Sequence, residues 1–161
     1  MRKQQSGVML LEALIAILIF SLGILGVVGM QASAVNASRD AKYRSDAGLL
    51  ANELIGQMWA SDRTPSVLQA NFQGDGTLSG STLVDGNGYT AWLNRVADYT
   101  DTDGVFHLGA LPGAAQVPPT VTVALGAVGP QRSSSTVTIN IFWRAPNEQA
   151  PHNYRVVVQI I

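Results

Sequence analysis

Residues Val8–Met30 read VMLLEALIAILIFSLGILGVVGM, 23 consecutive positions whose only ionisable side chain is Glu12 and whose other polar side chain is Ser21. Coiled as an α-helix at about 1.5 Å per residue, the run spans about 34 Å, enough to cross a bilayer core of about 30 Å. It is a transmembrane candidate, and the rest of the chain is read outward from it. On its N-terminal side stands a short polar leader, Met1–Ser6, whose Arg2 and Lys3 favour a cytoplasmic N-terminus. Arg39, Lys42 and Arg44 lie within about 15 residues of the other end, so charge alone leaves the orientation open. The long remainder of the chain is of the kind that crosses a membrane regardless of its charge.

Beyond Met30 the helical pattern continues but becomes one-sided. Tyr43, Ala47, Leu50, Leu54 and Met58 follow one another at spacings of 4, 3, 4 and 4, with Ile55 and Trp59 on an adjoining line and Arg39, Lys42, Asp46 and Glu53 elsewhere. The first proline is Pro65, so nothing forbids one helix from about Val8 to about Ala60. From Ser61 onward, Pro65, Gly74, Gly76, Gly80, Gly86 and Gly88 mark loops. Thr120–Leu125, Ser135–Trp143 and Tyr154–Ile161 are rich in β-branched residues and read as strands, the last two joined as an antiparallel hairpin through Ala145–Asn153. Tyr89–Val96 is expected to be a further strand, although its pattern also suits a helix. The one-sided half of the long helix needs an apolar face to cover it, and an antiparallel sheet of three or four strands provides one. The fold class expected is α+β, with residues 62–161 forming a β-rich head and residues 31–61 the amphipathic half of the helix.

Composition narrows the function classes. At 161 residues the chain has room for one ordinary domain beside the apolar segment, and 13% charged residues against roughly 25% in soluble proteins argues against a disordered tail. Ten Lys and Arg against eleven Asp and Glu leave no basic excess for a nucleic-acid backbone. The absence of cysteine excludes disulfides, thiol nucleophiles and cysteine-ligated metals. The mean hydropathy of +0.17 averages one greasy segment with a polar remainder.

Glu12 breaks the pattern of its surroundings. A carboxylate in hydrocarbon costs a few kcal/mol and marks a functional site with a partner to be named. Either Glu12 sits close enough to the boundary to reach water, or it pairs with a cation; the span holds no other charge, so that cation comes from another chain or from a new N-terminus. Gly7-Val8-Met9-Leu10-Leu11-Glu12, after a basic leader and before about 20 apolar residues, resembles the N-terminal signature of type IV pilins and pseudopilins. Leu22-Gly23-Ile24-Leu25-Gly26, Met30-Gln31 and the stretch Ala47–Met58 are similar to the minor-pilin group of type IV pilus modification proteins (PilV). The specific part of the resemblance covers about the first 60 residues.

The resemblance implies that residues 1–7 are a leader removed by a prepilin peptidase after Gly7. It also implies that Val8 becomes the N-methylated first residue, and that Glu12 pairs with the N-terminal amine of a neighbouring subunit. Cleavage then creates the one cation the span lacks and leaves a side-chain charge of −3. The implied partners are other minor pilins, the major pilin, the inner-membrane assembly platform and the peptidase, with the chain held in a bacterial inner membrane and its head in the periplasm before it enters the pilus. No enzymatic activity, cofactor, metal or small-molecule substrate is implied. A minor pseudopilin of a type II secretion system is the alternative, and an unrelated secreted or single-pass membrane protein a more distant one. Val8 stands where phenylalanine is usual, Gly29 where many pilins have proline, and the paired cysteines of many major pilins are absent, which favours a minor subunit. Gly23, Gly26 and Gly29 serve either close helix packing or helix flexibility.

Lesser signals carry little. Ala32-Ser33-Ala34 has the form of a signal-peptidase site, but the apolar run before it is too long for a signal peptide and contains Glu12. Asp98, Asp101, Asp103 and Gly104 suggest an acidic turn, with a calcium site outside the EF-hand pattern as the alternative; an EF-hand register would put Tyr99 and Ala110 at ligand positions. His107 and His152 read as solvated loop residues, Asn36-Ala37-Ser38 as a sequon without a role, and Trp59, Trp92, Trp143, Tyr89 and Tyr154 as the aromatic core between helix and sheet.

Overall fold

The computed structural model describes residues 6–76, 83–100, 103–126, 134–146 and 148–161. Its elements, in chain order, are α1 (Ser6–Ala60), α2 (Pro65–Phe72), α3 (Asn87–Val96), β1 (Tyr99–Thr100), β2 (Phe106–His107), β3 (Thr120–Leu125), β4 (Ser135–Trp143) and β5 (His152–Ile160). The chain is α+β, a long apolar N-terminal helix followed by a small antiparallel sheet, and divides into two units, Met1–Ala41 and Lys42–Ile161.

In the first unit the described residues are all helix, and every side chain from Val8 to Arg39 is exposed. Nothing interrupts the backbone ladder, since the run contains no proline. The helix is long and apolar enough to cross a membrane.

The second unit is built on one apolar cluster. The section of α1 beyond Lys42 contributes Ala47, Leu50, Ala51, Leu54 and Met58, all buried and spaced as one helical stripe, with Tyr43 and Ile55 half-buried beside it. The main sheet has the order β3-β4-β5, both pairs antiparallel. Its register places Val121 opposite Ile139, Ile139 opposite Val156, and Ile141 opposite Tyr154, so the apolar residues of three strands share one face. Along β4 alternate residues Val137, Ile139, Ile141 and Trp143 are buried, the period-two pattern of a sheet covered on one side. Tyr99–Thr100 and Phe106–His107 pair as a separate two-stranded ribbon.

Four expectations are corrected. Tyr89–Val96 forms α3 and no strand: Tyr89, Trp92 and Val96 fall at i, i+3 and i+7 and are all fully buried, whereas strand alternation would have put Tyr89 on the face opposite Trp92 and Val96. Trp92 Nε1 donates to the Leu50 carbonyl at 3.0 Å, and Arg95 pairs with Glu53, so α3 is fastened to α1 by contacts far apart in sequence. Pro65, expected to mark a loop, is the first residue of α2, where its fixed φ and missing N–H suit a helix start. Asp62 accepts from the Thr64 N–H (2.9 Å) and hydroxyl (2.7 Å), shaping the turn into α2, and these bonds hold its carboxyl below the ordinary value. The aromatic core consists of Tyr89, Trp92 and Trp143; Trp59 is exposed beneath the Arg63 guanidinium, and Tyr154 is half-buried. β5 begins at His152, two residues earlier than expected.

Gly74 and Gly86 are among the glycines that close approach requires. A Cβ on Gly74 would strike the Tyr89 ring, and one on Gly86 would strike the Asn71 carbonyl at the end of α2. Gly74 in turn exchanges both backbone hydrogen bonds with Val121 (3.1 and 2.8 Å), while Gln69 donates to the Val123 carbonyl at 3.2 Å, so the β3 edge of the sheet is occupied. Replacing fully buried Leu54 by alanine is expected to destabilise the protein by about 2–5 kcal/mol in chemical denaturation, and the same change at exposed Leu49 by less than about 0.5 kcal/mol. Equal effects at the two positions would contradict this core.

Candidate functional site

The residues singled out in the sequence lie on the first unit's helix. Gly7 is within α1; Val8 is 73% exposed, and the side chains of Met9, Leu10, Leu11, Leu14 and Ile17 are exposed beside it. Glu12 is exposed on the same helix, and neither the Lys42–Asp46 and Arg95–Glu53 ion pairs nor the Glu148–His152 contact involves it. Its carboxylate is acceptor-only when ionised, so within an apolar medium it requires a donor from outside the described helix. Ser21 needs none, because its hydroxyl donates to the Ile17 carbonyl at 2.7 Å, one helical turn back. The two polar side chains of the apolar run therefore differ: one is satisfied by its own helix and the other is not.

Gly23, Gly26 and Gly29 lie along the same segment, and a Cβ at any of them would meet nothing within 4 Å. At Gly23 the absent side chain leaves a shallow apolar depression lined by Phe20, Ile24, Val27, Val28 and Gln31. Three bare backbone patches within a third of the helix circumference allow close approach by another helix, and they lower the helix propensity by about 1 kcal/mol each relative to alanine. Asn36 is helical and exposed, as are Ala32, Ser33 and Ala34.

Elsewhere, Asp98 Oδ1 accepts from the Gly109 N–H at 2.7 Å, so this carboxylate ties β1 to the segment after β2. Asp101 lies outside the described residues; Asp103 and Gly104 form the turn between β1 and β2, with Gly104 in the left-handed region at φ +81°. The two histidines are strand residues, in correction of their reading as loop residues. His107 stacks on Tyr99 at 4.7 Å, and His152 stacks on Trp143 at 5.7 Å while meeting Glu148 at 2.7 Å.

The sequence reading overlooked Asp75, Asp85 and Tyr89 as a group. Tyr89 is fully buried and its hydroxyl donates to the Pro119 carbonyl at 2.6 Å; Asp85 Oδ1 accepts the Asp75 N–H at 2.9 Å. Burial, joined by the negative charges of Asp85 and Asp75, pushes the Tyr89 hydroxyl far above its ordinary value. The available signal was an aspartate before each of Gly76 and Gly86, two glycines read only as loop markers.

Comparison with protein-family models, with curated proteins and with the solved structures finds no match for this chain.

Because the folded-state value of Tyr89 lies above the ordinary tyrosine value of about 10, the unfolded chain releases this proton first. The associated stability is complete below that pH and is lost as pH rises above it. Absorbance titration is expected to show one tyrosine ionising only as the protein unfolds, and Tyr89→Phe is expected to remove that step. Persistence of the step in the variant would contradict the assignment.

Proposed function

We propose that this chain is a minor type IV pilin that takes part in starting or modifying pilus assembly. The observation that supports this reading is the apolar helix from Val8 onward, exposed on all sides, whose one unsatisfied polar group is a carboxylate five residues after Gly7. Its N-terminal motif resembles that of pilins, and a long helix leading into a small antiparallel sheet is compatible with their layout. In this account a prepilin peptidase removes residues 1–7 and Val8 carries the new, methylated amine. The chain waits in the inner membrane with its head in the periplasm. Assembly transfers the helix from lipid into a bundle of equivalent helices, keeping its apolar surface out of water throughout.

Glu12 has two demands in that sequence. In lipid its carboxylate costs about 3 kcal/mol near the centre of a span and less near the boundary. In the bundle the amine of a neighbouring subunit compensates it, because a buried charge is tolerable when it is paired and hydrogen-bonded. The pair forms only when one subunit is displaced along the next by about the rise of four residues, so it sets axial register. Gly23, Gly26 and Gly29 give the backbone surfaces against which neighbouring helices pack.

Glu12→Ala is expected to leave membrane insertion intact, since it makes the span more apolar, and to reduce recovery of the protein in sheared pili by at least tenfold. Normal incorporation of the variant would refute the pairing role. Co-purification from cells should recover pilus components with the wild-type chain; recovery of type II secretion components in their place would assign it to a pseudopilus.

A further inference from the structure

The direction of every backbone group along β5 follows from the opposite edge of the sheet. Val121 exchanges both backbone hydrogen bonds with Gly74, and Val123 turns its N–H to Gln73 Oε1 and its carbonyl to Gln69, so the odd-numbered residues of β3 face away from β4. The even-numbered residues of β3 therefore bond to Thr136, Thr138 and Asn140, which leaves Val137, Ile139 and Ile141 to bond with Val158, Val156 and Tyr154. By the same alternation Asn153, Arg155, Val157 and Gln159 direct their N–H and C=O groups to the outer edge of β5. All four residues are exposed, and among the described residues none of these outward backbone groups has a hydrogen-bond partner.

The two edges of the sheet thus differ. That of β3 is closed by Gly74 and by the Gln69 and Gln73 side chains. That of β5 runs for nine residues in unbroken register, without the proline, lysine or bulge that commonly protects an edge. Tyr154, Val156 and Val158, on the core side of the sheet, are only half-buried beside it. On the other side Arg155 is exposed, and among the described residues no carboxylate pairs with it. A second cation, Arg63, donates to the Ile161 carbonyl just past the end of the strand.

We propose that the open edge of β5 is a docking site for an extended, acidic segment of another protein, which adds as a further strand. Its backbone satisfies the outward groups of Asn153, Arg155, Val157 and Gln159, as in strand addition to any free edge. Its alternate side chains then fall on the two faces of the sheet: apolar ones cover Tyr154, Val156 and Val158, and a carboxylate meets Arg155. A second copy of this chain is the poorer occupant on charge. Pairing two β5 strands about Val156 makes their Arg155 side chains diagonal neighbours on one face, with no carboxylate between them. The inference stands apart from the pilin reading, since it rests on the second unit alone.

The test uses the full-length chain in detergent micelles and a synthetic nine-residue peptide of alternating threonine and valine whose central threonine is replaced by glutamate. In the chain alone, the amides of Arg155, Val157 and Gln159 are expected to exchange rapidly with deuterium, whereas those of Tyr154, Val156 and Val158 are protected. The peptide is expected to slow exchange at the first three by about tenfold or more. Val157→Pro removes an outward N–H and no bond to β4, so it should keep Tm within about 3 °C and lose the peptide. Arg155→Glu should weaken binding by about fivefold and favour the same peptide with lysine at its centre. The proposal is overturned if the peptide protects none of the outward amides, or if binding survives Val157→Pro or is unchanged in Arg155→Glu. Protection of the outward amides in the chain alone that grows with its concentration would also overturn it, by making a second copy the occupant.

Discussion

The constraint on which the rest depends is the exposed surface of α1 from Val8 to Val35. More than a dozen Leu, Ile, Val, Phe and Met side chains there are each about half exposed or more. Removing one such side chain from water is worth about 1.5–3 kcal/mol, so the run together favours an apolar medium by far more than the roughly 3 kcal/mol that Glu12 opposes to it. By magnitude the segment favours an apolar medium despite the carboxylate. The cost of the Glu12 carboxylate is too small to reverse that preference.

The side-chain pattern of the same continuous helix changes along its length. From Val8 to Met30 apolar residues occupy every direction; beyond Tyr43 they narrow to the stripe of Ala47, Leu50, Leu54 and Met58 that the second unit covers. Polar anchoring follows the change. In the first unit Ser21 bonds to its own helix, whereas in the second Trp92 and Arg95 reach across from α3 to Leu50 and Glu53. Neutral hydrogen bonds and half-exposed ion pairs of this kind add little stability singly, but they fix which face of α3 meets α1.

What could be read from the residues follows physical range. The long helix, the apolar stripe and the strands β3 to β5 were legible because each depends on local periodicity, and Val121, Ile139 and Val156 announce their shared face by alternation alone. α3 was misjudged because Tyr89–Val96 is short and rich in residues that suit both states, and only burial against Leu50 decides between them. α2 escaped notice because Pro65 signals a helix start as readily as a loop. The Asp75–Asp85–Tyr89 group could not be found from spacing, since Asp85 is brought to the Asp75 backbone by the return of the chain and by the bridge of Gly74 to β3. Glu12 stood out for the opposite reason: its meaning lies in the contrast with its immediate neighbours.

In the proposed function the helix acquires its missing cation by losing residues 1–7. The mass of the N-terminal peptide, taken from the protein isolated from cells that make it, tests this most directly. A chain that begins at Val8 and carries one added methyl group on its amine is the expected result. A chain that retains Met1–Gly7, or one that begins at Val35 after the Ala32-Ser33-Ala34 step, would contradict it.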